Sequence, residues 1–303
     1  MLTATLTPAI GTAPSQAGAE PEIHIPLHTL HGEPRIWADR LLSVFKGRQI
    51  DGVEWSMKFS AAGLVGNRFM LGIQREHWHQ LDLATLSQAL AIPQSLWMRV
   101  VQDMEHARAM FFAYEPDGAA GTYRVYLEFM PTPEALRQHG VLPLGCGYKW
   151  HPATQREAAV TGYRMRYLED RAAFDAHLAP YLAKLANPVL RQVAQGIVAQ
   201  ACAQADPAGF MFLEVDEADT RRDSFTLTFR GADLPLRAFI PDLLRLAASL
   251  ALAESEVLGF LLPDEPRSLY SLAAGAARDG HEFLTVYYLS LIHISEPTRL
   301  LSI

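Results

Sequence analysis

The stretch VEWSMKFSAAGLVGNRFMLGIQ, residues 53–74, decides the fold of this chain. In its first half, polar residues alternate with large apolar residues, which predicts a β-strand with one polar and one apolar face. A turn through Ala62 and Gly63 leads into a second strand, where Arg68 lies on the polar face. Taken alone, the hairpin fits the edge of a solvent-facing sheet as well as the wall of a barrel with a polar interior.

The composition limits the class of protein. The chain has 303 residues, half of them hydrophobic, which is enough for one large domain. Its net charge of −7 argues against binding to nucleic acid or to an anionic membrane. No apolar run reaches the ~18 residues of a membrane span, so we expect a cytoplasmic protein without a membrane partner. The two cysteines, Cys146 and Cys202, are too few for a disulfide framework and are predicted to be unpaired thiols.

Both ends of the chain are set apart from the predicted domain, which spans residues 31–288. Residues 1–30 lack the basic start and apolar run of a signal peptide, and we interpret them as a flexible leader. Residues 289–299, LSLIHISEPTR, resemble the translated read-through of a sequencing adapter. We therefore predict that residues 289–303 are a non-native tail and exclude them from the fold.

Between these ends, helical segments alternate with pairs of strands. The spacing of apolar residues predicts helices over residues 35–45, 81–90, 93–104, 172–185, 189–203 and 235–252, and a short helix starting at residue 132. Strand pairs are predicted within residues 53–74, 109–130, 144–168, 209–230 and 269–288. Five such units supply about ten strands, which can close into an antiparallel barrel with helices outside.

A barrel covered by helices needs apolar outward faces, so the polar face of each strand would line its interior, the lumen. The later strands carry the following residues on their polar faces: Arg124, Tyr126 and Glu128; Arg164 and Arg166; Thr226, Thr228 and Arg230. A solvent-facing sheet usually mixes Lys, Glu, Thr and Gln instead of favouring Arg and Tyr. The sequence therefore favours the wall of a barrel over the edge of an open sheet.

The residue types on these faces point to one chemistry. Arginines that converge in a lumen repel one another unless an anion joins them, and phosphate oxygens suit their forked donors. Aromatic ring faces stabilise the carbocation that forms when diphosphate leaves an allylic carbon. A nearby carboxylate, Glu54, is suited to take the proton of an attacking nucleophile. Together these features describe prenyl transfer from an isoprenyl diphosphate.

Short motifs recur in order along the chain. They are Glu54-x-Ser56-x-Lys58-Phe59, Asn67-Arg68-Phe69, Arg124-Val125-Tyr126-Leu127 followed by Thr132-Pro133-Glu134, Leu144-Gly145, and Thr285-Val286-Tyr287-Tyr288. This series resembles the aromatic prenyltransferases of the α-β-β-α (ABBA) superfamily, and the fourteen-residue spacing of Glu54 and Arg68 is most similar to that of cyanobactin-type peptide prenyltransferases. The resemblance implies an α/β fold, the ABBA prenyltransferase (PT) barrel, with about ten antiparallel strands around a polar lumen.

The resemblance also implies roles for single residues. Glu54 would be the catalytic residue that orients or deprotonates the nucleophile, and Tyr126 and Tyr287 would shield the allylic cation. The diphosphate would be bound by Arg68, Arg124, Lys149, Arg166 and Arg230. The role of Lys58 stays open, because its side chain could reach the lumen or pair with Glu54.

The substrates follow from the same resemblance. It implies dimethylallyl diphosphate as co-substrate, assistance by Mg²⁺, no tightly bound cofactor and no metal site built from protein ligands. The acceptor would be a nucleophilic side chain of a ribosomally made, cyclised peptide. A small aromatic acceptor such as tryptophan or an indole is the second interpretation, and a non-catalytic carrier of an apolar anion is the alternative from another class. We expect a monomer or a weak dimer.

Overall fold

Ten antiparallel strands form a closed barrel in the computed structural model, which describes residues 27, 30–117, 121–217, 220–261 and 267–290, and only the backbone of residues 216, 289 and 290. The strands are β1 Gly52–Ser60, β2 Gly63–Gln74, β3 Ala109–Glu115, β4 Thr122–Glu128, β5 Val141–His151, β6 Arg156–Arg166, β7 Met211–Asp216, β8 Asp223–Thr228, β9 Arg267–Ala276 and β10 Glu282–Ser290. Each strand pairs with its neighbour in sequence, and β1 pairs with β10 to close the barrel. The predicted fold class is confirmed.

Helices connect the strand pairs and surround the barrel. In the described residues the α-helices are α1 Gly32–Phe45, α2 Leu83–Ala89, α3 Gln94–Met104, α4 Pro133–His139, α5 Arg171–Lys184, α6 Pro188–Gln204, α7 Ile240–Ser249 and α8 Glu254–Leu261. The prediction of one helix over residues 235–252 is wrong in its first turn, which is a 3₁₀ segment, Leu236–Phe239. Pro241 stands in the first turn of α7, where its missing N–H costs nothing, and α8 was not predicted.

Hairpin turns and helical connections alternate along the chain. Neighbouring strands run in opposite directions, so the five hairpin turns meet at one end of the barrel and the helical connections meet at the other. We call these the hairpin end and the helix end. The turn between Ser60 and Gly63 belongs to the hairpin end, whereas Gly52 and Gln74 lie at the helix end.

The hydrophobic core lies between the outer face of the barrel and the helices. Trp55, Met57 and Phe59 of β1 are buried there, in the same cluster as Leu41 and Phe45 of α1. Burying a large apolar side chain contributes about 1.5–3 kcal/mol, so this layer supplies much of the driving force for folding. Because alternate residues of a strand point in opposite directions, polar residues of β1 such as Glu54 and Ser56 face the lumen.

The ends of the chain are described only in part. Of the predicted leader, Leu27 and Leu30 are described, and both side chains are buried against the core. Strand β10 continues to Ser290, two residues past the predicted end of the domain, and residues 291–303 of the predicted tail lie outside the described residues. The domain boundaries and the adapter origin of the tail stay predictions. None of the described helices is both long and apolar enough to cross a membrane.

Among the described glycines, Gly275 in β9 leaves the least room for an added Cβ atom. Its φ of 142° is one that other residues rarely adopt, and a Cβ atom would lie 2.3 Å from the carbonyl oxygen of Asp223 and 2.5 Å from Cα of Ser224. These backbone atoms cannot move without breaking the pairing of β8 with β9. We therefore expect Gly275→Ala to lower the free energy of unfolding by about 1–3 kcal/mol, as measured by urea denaturation.

Gly196→Ala in α6 is the matched control. No atom outside the helix lies within 4 Å of the added Cβ, and alanine favours a helix interior over glycine, so the free energy of unfolding should rise or stay unchanged. A Gly275→Ala variant as stable as the wild type would contradict the described pairing of β8 with β9.

Candidate active site

Four cations surround one carboxylate in the half of the lumen near the hairpin end. Lys149 Nζ donates a hydrogen bond to Glu115 Oε2 at 3.0 Å. Arg68 Nε lies 3.7 Å from Glu115 Oε1, and Arg124 Nη2 lies 3.9 Å from Glu115 Oε2. Lys58 is close enough for its charge to act on the same carboxylate. We call Lys58, Arg68, Arg124 and Lys149 the cation cluster.

Burial and charge oppose each other in this cluster. Burial alone would raise the pKa of Glu115, but the charges of Arg68 and Lys149 and those of the other two cations hold that pKa well below its usual range. Burial lowers the pKa of Lys58 to about 8, and the charge of Arg68 adds to the fall. One carboxylate therefore faces four cations, which leaves a surplus of positive charge for an anionic ligand.

Arg68 carries buried hydrogen-bond donors that point to a ligand. Its side chain is only 12% exposed. Its Nε and Nη1 are buried and have no hydrogen-bond acceptor among the described residues. Buried donors without acceptors cost free energy, and an anion with several oxygens would satisfy them. This observation favours a phosphate-bearing ligand at Arg68.

A second network lies at the hairpin end of the lumen. Arg278 donates two hydrogen bonds to the carboxylate of Glu217, and Thr161 Oγ1 donates a third at 2.6 Å. Arg222 Nη1 lies 3.8 Å from the same carboxylate, and the charge of Arg222 helps to lower the pKa of Lys58. The sequence analysis missed Arg222 and Arg278 because both stand in turns, where the alternation of strand residues does not apply.

A cavity of about 180 Å³ leads from the cation cluster towards the helix end. Four residues line both the cavity and the space around the cation cluster: Glu54, Met70, Arg124 and Tyr287. Five aromatic side chains line the cavity: Phe111, Tyr126, Tyr163, Tyr270 and Tyr287. The cation cluster and the aromatic surface are therefore parts of one continuous site.

Glu54 lies where the cavity meets the cation cluster. On β1 it stands between Met70 of β2 and Leu289 of β10. Burial raises the pKa of Glu54 to about 7, and the charges of Arg68 and Arg124 oppose this rise. Among the described residues, no hydrogen bond or ion pair engages its carboxyl group. A carboxyl group that faces a cavity and titrates near neutral pH is suited to accept a proton.

A glycine on the next strand, Gly145, leaves room for the Tyr126 ring in the cavity, although the residue paired with Tyr126 in the sheet is Gly147. A Cβ atom on Gly145 would lie 2.4 Å from the carbonyl oxygen of Leu127 and 2.6 Å from Tyr126 Oη. The rings of Phe111 and Tyr163 flank Tyr126, with centroid distances of 5.7 and 5.3 Å. The glycine thus leaves room for a wall of aromatic rings, to which Phe111 and Tyr163 belong although the sequence analysis did not predict them.

Arg166 does not reach the lumen, so the prediction that it lies beside the diphosphate is wrong. Its Nε donates a hydrogen bond to Glu214 Oε1 at 2.7 Å, and His177 Nε2 lies 3.0 Å from the same oxygen. His177 belongs to α5, outside the barrel, so this face of β6 points outward. Arg164 and Arg166 share a face, as predicted, but the lumen face of β6 carries Tyr163 instead.

Arg230 lies near the helix end, away from the cation cluster. It follows β8, whose last residue, Thr228, lines the cavity. Its charge acts on Glu128 and Tyr270, and its Nε is buried without an acceptor among the described residues. The structure therefore brings together three of the five residues predicted to bind diphosphate, namely Arg68, Arg124 and Lys149.

No group of three His, Cys, Asp or Glu side chains gathers in the described part of the chain. Glu115, the carboxylate inside the cation cluster, is held by Lys149 and lies near two arginines. Assistance by Mg²⁺ stays a prediction, and no step proposed below depends on it.

The raised pKa of Glu54 predicts a pH-dependent cost to stability. In the unfolded chain this carboxyl group loses its proton near pH 4.5, whereas in the folded protein it keeps the proton until about pH 7. Stability from the protonated group is therefore present at low pH and lost as the pH rises to about 7. We therefore compare the unfolding free energies of Glu54→Gln and wild type at pH 5 and at pH 8. The difference in favour of Glu54→Gln should grow by about 1–3 kcal/mol from the lower to the higher pH.

Urea denaturation at both pH values measures this gain. Glu134→Gln on α4 is the control, because the Glu134 side chain is 75% exposed and its removal should leave the pH dependence unchanged. If the unfolding free energies of Glu54→Gln and wild type changed with pH in parallel, the pKa of Glu54 would not be raised. That result would contradict the burial of Glu54 in the folded protein.

Comparison with known proteins supports the fold. No protein-family model and no curated protein sequence matches the chain. The 5-dimethylallyltryptophan synthase of Streptomyces coelicolor is similar in structure, with a TM-score of 0.51, 14% identity and coverage of 80% of this chain and 82% of that one. A 6-dimethylallyl tryptophan synthase is similar with a TM-score of 0.52, 12% identity and coverage of 86% and 91%. The chain thus has the barrel fold of the ABBA prenyltransferases.

Proposed function

We propose that this protein transfers a dimethylallyl-type prenyl group from its diphosphate to an aromatic acceptor. The observation that carries the proposal is the order of groups along the lumen. The cation cluster lies near the hairpin end, Glu54 and Tyr287 lie at its border, and the aromatic cavity follows. A molecule with an anionic head and a short apolar chain fits that order, and the two similar barrels are named for dimethylallyl transfer.

The cation cluster would bind the diphosphate. The diphosphate oxygens would accept hydrogen bonds from Arg68 Nε and Nη1, which have no acceptor in the described protein. Arg124 and Lys149 would add charge from the neighbouring strands β4 and β5, where they are paired in register. Lys58 and Arg222 lie close to the same space and would complete the set. Preorganised cations of this kind stabilise the charge that develops on a leaving group.

The transfer would proceed by loss of diphosphate. The bond between the allylic carbon and the diphosphate oxygen breaks, and its electron pair leaves with the oxygen. The resulting allylic cation lies beside the rings of Tyr126, Tyr163 and Tyr287, whose faces are negative. An electron pair of the acceptor forms the new bond to the allylic carbon. The proton that the acceptor loses passes to the carboxylate of Glu54.

There are two candidates for the acceptor of the prenyl group. The peptide side chain inferred from the sequence stays a prediction, with a small indole or tryptophan as the alternative. The two similar barrels are named as dimethylallyltryptophan synthases, and these names favour an aromatic acceptor in either case. A carrier that holds an apolar anion without reaction is less consistent with the site, because a carrier has no use for a proton-accepting carboxylate beside its ligand.

Glu54→Gln and Arg68→Gln separate the two halves of the proposed site. We expect Glu54→Gln to slow prenyl transfer at least 100-fold, since a general base typically contributes that much, and to leave the affinity for dimethylallyl diphosphate within about threefold. Arg68→Gln should weaken that affinity at least tenfold, because charge-assisted hydrogen bonds are lost. Calorimetric titration without acceptor measures the affinity, and intact-mass analysis of indole and cyclic-peptide acceptors measures the transfer.

Arg137→Gln on α4 serves as the charge-matched control, because the Arg137 side chain is 54% exposed and lies outside the lumen. It should alter neither quantity. An unchanged transfer rate in Glu54→Gln would refute its role as base. Tight diphosphate binding together with no transfer to any indole or peptide would favour the carrier over the enzyme.

A further inference from the structure

A second lumen carboxyl group, Glu128, has no place in the chemistry described so far. It is the last residue of β4 and shares the lumen face of that strand with Arg124 and Tyr126. Its side chain lines the same cavity as Glu54, but near the helix end. Glu128 is only 5% exposed. An ionisable group so well buried normally has a partner, since an unpaired buried charge is costly.

Glu128 has no such partner in the described protein. Its carboxyl group makes no hydrogen bond and no ion pair within 4 Å in the described residues. Arg230 lies near enough for its charge to lower the pKa of Glu128, but burial outweighs that effect and raises the pKa to about 7. Arg230 itself keeps a buried Nε without an acceptor among the described residues, and no ion pair within 4 Å joins it to Glu128. Glu128 is a buried acceptor that faces open space.

The surroundings of Glu128 suit a cation. Tyr126, Tyr163 and Tyr270 line the same cavity, and ring faces attract ammonium and guanidinium groups. Glu54 adds a second carboxyl group to the wall, and its charge acts on Glu128. Arg124 also lines the cavity, but it belongs to the cation cluster, where a bound diphosphate would neutralise it. The end of the cavity beyond the cluster thus offers two carboxyl groups and aromatic faces against the single charge of Arg230.

We propose that Glu128 forms an acceptor subsite for a protonated nitrogen, so that the preferred acceptor is an aromatic compound that carries an ammonium or guanidinium group beside its nucleophilic ring. Glu54 would serve the nucleophile and Glu128 would anchor the charged group towards the helix end. The role of this subsite rests on the proposed prenyl transfer. The binding preference for a charged compound, however, does not require that any transfer takes place. It narrows both acceptor candidates to those with a basic group near the ring.

Tryptamine and 3-propylindole form a matched pair of probes, because they differ in an ammonium group that replaces a methyl group. Calorimetric titration at pH 8, where Glu128 is ionised, compares their affinities for the protein in saturating inorganic pyrophosphate, which occupies the cation cluster. We expect wild-type protein to bind tryptamine at least tenfold more tightly than 3-propylindole. Glu128→Gln should weaken tryptamine binding about tenfold and leave 3-propylindole binding within twofold.

Glu157→Gln is the control for loss of one carboxylate, because Glu157 lies outside the lumen, where it accepts a hydrogen bond from Ser95 and pairs with Arg99. It should keep the wild-type preference. Equal affinities of the two probes for wild-type protein would overturn the proposal without any variant. A preference that survives in Glu128→Gln but disappears in Glu54→Gln would also overturn it, because Glu54 would then hold the ammonium group.

The outcome is separable from that of the proposed function. A tenfold preference for tryptamine that depends on Glu128, with no transfer from dimethylallyl diphosphate, would support the subsite and refute the enzyme. Transfer to an indole with no preference for the ammonium group would support the enzyme and refute the subsite.

Discussion

The structure depends on the burial of like charges around a single carboxylate inside a closed barrel. Lys58, Arg68, Arg124 and Lys149 share one interior with Glu115, and their outward neighbours on the same strands are apolar. The two facts are linked, since helices can cover the barrel only if its outer face is apolar, and the alternation of strand residues then sends the polar side chains inward. Four partly buried cations with one anionic partner form an incomplete pairing, which a bound anion would complete.

Much of this arrangement could be predicted from the sequence. The alternation in residues 53–74 and the recurrence of arginine on later strands predicted the closed barrel and its polar lumen, and the family resemblance predicted that Glu54, Arg68, Arg124 and Lys149 share one site. Alternation fixes which residues share a face, but it does not fix which face points inward. On β6 both faces carry polar groups. The face with Arg166 points outward because Arg166 pairs with Glu214 beside His177 of α5. That contact joins residues far apart in sequence and has no local signal.

The other missed residues share a different cause. Glu115 stands at the end of β3, where the following Pro116 and Asp117 mark a turn, so the alternation of strand residues does not indicate where its side chain points. Arg222 and Arg278 lie in turns as well, and their approach to Glu217 depends on the closure of the hairpin end. Periodicity describes the middle of a strand well. It carries no information about the ends of strands, which come together only when the barrel has closed.

The central claim is that the cation cluster holds the diphosphate and directs the prenyl chain into the aromatic cavity. A crystal structure of the protein with the unreactive thiolodiphosphate analogue of dimethylallyl diphosphate tests it most directly. The account predicts phosphate oxygens within hydrogen-bonding distance of Arg68, Arg124 and Lys149, with the prenyl chain beside Tyr126 and Tyr287 and close to Glu54. A diphosphate bound at the helix end beside Arg230, or on the outer surface beside Arg164 and Arg166, would contradict it.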